Sequence, residues 1–132
     1  MDDVLIVGGG PAGLSAALML GRVRRHVVVA DAGDGRNAPA RQMNGYLGCD
    51  GVAPAEFRQN TRKELERYPS VRIVGTTVTG ISGTCDDGFT AALDDGSQLR
   101  ARTVLLAGGI RDELPPLPGV RAAWGTHVFH CP

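Results

Sequence analysis

The chain is poor in several things, and each shortage closes off a class of function. Lys63 is its only lysine, and its 14 basic residues are matched by 14 acidic ones. A balanced charge and a pI near 6.8 leave no excess cationic surface for a nucleic-acid groove or an anionic membrane. No apolar run reaches the roughly 18 residues that a membrane-spanning helix needs. Asp2 and Asp3 stand where the positive region of a secretory signal would lie, so no leader is expected and the cytoplasm is the expected compartment. Cysteine is sparse: Cys49, Cys85 and Cys131 are an odd, widely spaced set, which suits reduced thiols. No internal repeat and no low-complexity tract is present, and 132 residues suffice for one domain.

Glycine is abundant, with 19 residues against an average near 7%. Such an excess signals tight turns or close approach of backbone to a ligand. Residues 4–7 (VLIV) form a short apolar run that ends in glycines, as a buried parallel strand does. Residues 11–24 carry Leu14, Ala17, Leu18 and Gly21 at helical spacing, with Pro11 suited to the first turn. Residues 26–30 (HVVVA) predict a second buried strand, closed by Asp31. The opening is therefore strand, helix, strand.

Residues 32–52 are rich in Gly, Asn, Pro and Asp and lack a period, and a connection this long is usually functional. Pro54 opens a second predicted helix with Phe57, Thr61, Leu65 and Tyr68 on one face, and Pro69 stops it. Residues 71–74 predict a third strand. Three short β-prone pieces follow at 78–85, 89–93 and 98–101. Asp-Asp-Gly separates the first two and recurs before the third, so they predict an antiparallel meander. Residues 103–107 (TVLLA) then predict a separate buried strand before Gly108 and Gly109. The expected fold class is α/β, a Rossmann-like parallel sheet with flanking helices and a small antiparallel meander.

Residues 8–13 read Gly-Gly-Gly-Pro-Ala-Gly. They fit G-x-G-x-x-G between a predicted strand and a predicted helix, where that motif has physical meaning. Gly8 permits the turn, Gly10 lets backbone approach a pyrophosphate, and Gly13 lets the helix pack closely. Pro11 and Ala12 shape the turn, and the helix end supplies N–H groups and positive dipole. Asp31, about twenty residues on, is placed to accept hydrogen bonds from a ribose diol. Strand, loop, helix, strand and acid agree on a dinucleotide.

The order of elements, with a meander after the third strand, resembles the FAD-binding domain of the thioredoxin-reductase-like pyridine nucleotide–disulfide oxidoreductases. Residues 7–17 (VGGGPAGLSAA) resemble that family's pyrophosphate loop. Gly35-Arg36-Asn37 and residues 43–48 (MNGYLG) resemble its flavin-side loop. Residues 103–109 (TVLLAGG), 111–119 (RDELPPLPG) and 124–132 (WGTHVFHCP) resemble the strand, the connection and the approach to its redox-active Cys-x-x-Cys. Two departures stand out. Gly108 occupies a position where threonine is commoner, which removes a hydroxyl. Asn44 stands where histidine is frequent, which changes the local proton chemistry.

The resemblance implies FAD as cofactor and NAD(P)H as co-substrate of a full-length enzyme. It further implies an acceptor that is a thioredoxin-like protein or a small-molecule disulfide, with members commonly homodimers. It assigns cofactor contacts to Gly8, Gly10, Pro11, Ala12, Gly13, Asp31, Ala32, Gly35, Arg36, Asn37, Asn44, Val78, Ala107 and Gly108. Val78 would present backbone to adenine, Arg36 and Asn37 would line the phosphate and ribityl approach, and Ala107 would pack on the cofactor. Cys131 would be the first cysteine of the redox pair. The second cysteine, the NAD(P)H-binding domain and the closing FAD segment are not in the sequence, so residues 1–132 are expected to be the N-terminal part of the FAD-binding domain.

Rival interpretations remain. Cys131 could be a plain thiol, since reactivity requires a depressed pKa. With His127 and His130 it could form a metal corner. Arg22, Arg24 and Arg25 could simply complement a helix C-terminus. The chain could be a nucleotide-binding module without catalysis of its own. A small NAD-dependent dehydrogenase would want a Tyr–Lys or His–Asp arrangement, and none is evident.

Overall fold

The computed structural model describes residues 1–33 and 35–129. The elements run β1 (Asp2–Val7), α1 (Pro11–Arg22), β2 (Val27–Asp31), α2 (Pro54–Leu65), β3 (Val71–Gly75), β4 (Val78–Thr84), β5 (Gly88–Leu93), β6 (Gln98–Leu106) and α3 (Val120–Ala123). The six strands form one sheet in the order β3-β2-β1-β6-β5-β4. β3, β2, β1 and β6 are parallel, and β5 and β4 add antiparallel.

The period of two along β1 and β2 divides the core. Ile6, Val27 and Val29 face α1 and α2 and pack with Leu14, Ala17 and Leu65. Leu5, Val28 and Ala30 face the other way and pack with Ala91 of β5 and Ala101 of β6. The meander thus covers the sheet face that the helices leave bare, which is why these strands read as continuous apolar runs. Leu5, Ile6, Val27, Val28 and Val29 are fully buried, and each such side chain contributes roughly 1.5–3 kcal/mol by leaving water.

Two expectations need correction. Residues 98–101 and 103–106 belong to one strand, β6, not two, and Ala107 lies just beyond its end. Its first residues pair with β5 and the rest with β1, and Ala101 faces both Phe89 and Asp2. The stretch QLRARTVLL holds no Gly, Pro, Asn or Asp to break it. The second half is also not wholly buried, because Leu106 is 74% exposed. α2 ends at Leu65, so Tyr68 packs against the helix-side core from the turn beyond it. Among the described residues, no helix is long and apolar enough to cross a membrane.

Candidate functional site

The glycine loop lies at the C-terminal ends of β1 and β2. The Gly8 N–H donates to the Ala30 carbonyl at 2.8 Å, and the Ala107 N–H donates to the Val7 carbonyl at 2.8 Å. The loop therefore runs between the ends of β2 and β6. Gly8 has φ 114°, and a Cβ there would lie 2.2 Å from the Ala107 carbonyl oxygen. A Cβ on Gly13 would lie 1.9 Å from the Gly8 carbonyl oxygen and 3.2 Å from Ile6 Cγ2, so α1 sits directly on the strand. Gly10 is different. It caps α1 with no side-chain hydrogen bond, no acidic residue occupies the first turn, and a Cβ on it would meet nothing within 4 Å. Space above an uncapped helix N-terminus suits a phosphate group. Pro11 and Ala12 are exposed beside it.

Asp31 is buried, at 5% exposure. Its Oδ1 accepts from the Gly33 N–H at 2.9 Å and from Arg58 Nη2 at 3.1 Å. Its Oδ2 accepts from Arg58 Nη2 at 2.9 Å and from Arg62 Nη2. Burial pushes the carboxyl up, but the Gly33 N–H and the two guanidinium groups outweigh it and hold Asp31 below the usual carboxylate range. Sequence reasoning missed Gly33 and three further neighbours of this carboxyl. Gly9 is one, since a Cβ there would fall 2.2 Å from the Asp31 carboxyl carbon. Arg58 and Arg62 are the others. Their four-residue spacing on α2 places them on one helix face, but only the apolar positions of that helix are visible as a pattern.

Ala32 is exposed beside the acid, and Gly35 lies against Arg58 and Asn37. Thr76 donates its N–H to the Asp31 carbonyl at 3.1 Å. This leaves Val78, at the start of β4, two residues beyond that bond and packed against the cluster that holds Val28, Ala30 and Ala91. Arg36 forms a two-pronged ion pair with Asp112, at 2.7 and 2.8 Å, tying the long loop to the segment after β6. Gly108 is exposed with open space around it. Asn37 and Asn44 share a cleft of about 740 Å³ with Met43, Gly125, His127 and Phe129. The structure so divides the sequence candidates into a group around Gly10 and Asp31 and a group around Asn37 and Asn44. Cys131 and His130 lie outside the described residues. Among the described residues, no cluster of three metal-ligating side chains occurs.

Comparison with known proteins agrees with this architecture. The family model for pyridine nucleotide-disulphide oxidoreductases matches residues 2–132. The thioredoxin reductase sirT of Leptosphaeria maculans is 39% identical over 98% of this chain and 40% of its own length. The crystal structure of an oxidoreductase from Agrobacterium tumefaciens superposes with a TM-score of 0.95 at 45% identity, over 99% of this chain and 44% of that one. A putative thioredoxin reductase from Bacillus anthracis gives 0.95 at 36% identity, over 100% and 44%. The chain thus spans less than half the length of these relatives. The six-stranded mixed sheet, the glycine loop on its strand ends and the match across residues 2–132 place this chain in the pyridine nucleotide-disulphide oxidoreductase family, among proteins that resemble thioredoxin reductases.

Proposed function

We propose that residues 1–132 are the N-terminal part of an FAD-binding domain, and that the full-length protein is an FAD-dependent NAD(P)H:disulfide oxidoreductase. The observation that carries this proposal is the open space over Gly10 at an uncapped helix start, beside a buried, ionised Asp31. The donor set suits a dinucleotide. Backbone at Gly8, Gly10 and Gly13, with Pro11 and Ala12 shaping the turn, would hold the pyrophosphate. Asp31, with Ala32 beside it, would accept the adenosine ribose hydroxyls. Val78 backbone would meet adenine. Gly35, Arg36 and Asn37 would line the phosphate and ribityl approach, with Asn44 nearer the flavin, Ala107 packing against the cofactor and Gly108 near it. FAD supplies two-electron redox chemistry when bound, and the chain orients it and excludes water. Cys131 would be one half of a redox-active disulfide, and the acceptor a thioredoxin-like protein or a small-molecule disulfide. The names of the relatives support that acceptor class.

The test is a visible absorption spectrum of the purified 132-residue chain, mixed with FAD and desalted. Flavin absorbance that stays with the protein is the expected result. A colourless protein under saturating FAD would overturn the proposal that this part holds the cofactor. Gly10→Ala sharpens it. The new methyl group meets nothing in the chain, so stability should stay within about 1 kcal/mol of wild type, the scale of a helix-cap change. It fills the phosphate space, so FAD affinity should fall about tenfold or more, the scale of one charge-assisted hydrogen bond. Unchanged affinity would place the pyrophosphate elsewhere.

A further inference from the structure

A carboxylate offers about four lone-pair positions, and four contacts from three donor groups already occupy Asp31: the Gly33 N–H, Arg58 twice, and Arg62. A ribose diol cannot hydrogen-bond to this carboxylate until one donor leaves. The two arginines differ in how firmly they are held. Arg58 spans both carboxylate oxygens, donates through Nη1 to the Gly33 carbonyl at 2.7 Å, and has a side chain only 19% exposed. It ties the acid to the loop that follows it. Arg62 touches only one of the two Asp31 oxygens, from a side chain that is 43% exposed. The carboxylate is buried but this guanidinium is not, so its head group can turn into water at smaller cost than that of Arg58.

We infer that Arg58 is a positioning residue that fixes the Asp31 carboxylate for a nucleotide, while Arg62 stands in for the ribose hydroxyls and is displaced when they arrive. The inference rests on the proposal that Asp31 accepts a ribose. Asp31 is thereby a closed site with one removable donor. Arg62 acts as a competitor for the same oxygen, and its presence lowers affinity for any ligand that bears the diol.

ADP and 2′,3′-dideoxy-ADP test this by calorimetric titration of the 132-residue chain, because the two carry the same charge and differ only in the diol. Wild type should prefer ADP by about tenfold, the scale of one hydrogen bond to a charged group. Arg62→Ala should tighten ADP several-fold and leave the dideoxy form unchanged, which widens the preference. Arg58→Ala should erase the preference, with both ligands binding alike, and Arg58→Lys should restore part of it. An Arg62→Ala protein that binds ADP no tighter than wild type, or that gains equally for both ligands, overturns the inference. Equal binding of the two ligands by wild type would instead remove Asp31 from ribose recognition, and with it the ground for both roles. Should Arg58→Ala fail to fold, Arg62→Ala and Arg58→Lys decide the matter alone.

Discussion

Replacing Gly8 with alanine should destabilise the chain by about 3 kcal/mol, which combines a forbidden backbone conformation at about 1–3 kcal/mol with overpacking at about 1–3 kcal/mol. The backbone at Gly8 has φ 114°, and the added Cβ would fall 2.2 Å from the Ala107 carbonyl oxygen and 2.7 Å from its carbon. The obstacle is backbone, not the end of a flexible side chain, so the loop and the end of β6 must separate. Relief by that route would strain two anchoring bonds, Gly8 N–H to Ala30 and Ala107 N–H to Val7. Urea unfolding measures the loss. With a slope near 2 kcal/mol per molar urea, the midpoint should fall by about 1.5 M. Gly10→Ala, where the methyl group meets nothing, is the control on the same loop. A Gly8→Ala protein that unfolds at the wild-type midpoint would show that the loop does not bear on the sheet as described.

The contrast between Gly8 and Gly10 also shows what the sequence could convey. Both belong to one legible motif, and the strand–loop–helix–strand–acid order around them is what the structure has. The apolar residues at 4–7 and 27–30 were legible as strands because each run packs on both faces, by helices on one side and the meander on the other. The run at 103–107 has the same composition but continues a strand begun at Gln98. Nothing local separates a new buried strand from the end of a long one, because the difference lies in pairing partners far along the chain. The arginine pair on Asp31 was hidden for a related reason. Hydrophobic periodicity marks the inner face of α2 through Leu65, whereas Arg58 and Arg62 look like any two cations on an exposed helix until β2 is placed beside them. The cleft shared by Asn37, Asn44 and His127 likewise joins segments more than eighty residues apart, with no spacing rule to announce it.

Asp31→Ala should cost about 2–3 kcal/mol, somewhat under the 3–5 kcal/mol typical of stripping one partner from a buried ion pair. The reduction follows from exposure: Arg62, 43% exposed, can turn to solvent, whereas Arg58, 19% exposed, loses both carboxylate bonds and, among the described residues, keeps its bond to the Gly33 carbonyl. The Gly33 N–H loses its acceptor as well. Asp31→Asn keeps one oxygen acceptor and should fall between the alanine variant and wild type. The pH dependence gives the sharper test. The folded-state pKa of Asp31 is depressed, so its contribution is present above the unfolded value, about 3.9 for aspartate. It is lost as pH falls from there through the folded value. Wild type and Asp31→Asn should therefore differ most in urea midpoint near neutrality, and the gap should close as pH is lowered below about 4. A gap constant down to the acid limit would mean that shape and packing, not ionised Asp31, account for the loss. A gap that closes would tie the stability of the end of β2 to the same charge that the ribose is proposed to meet.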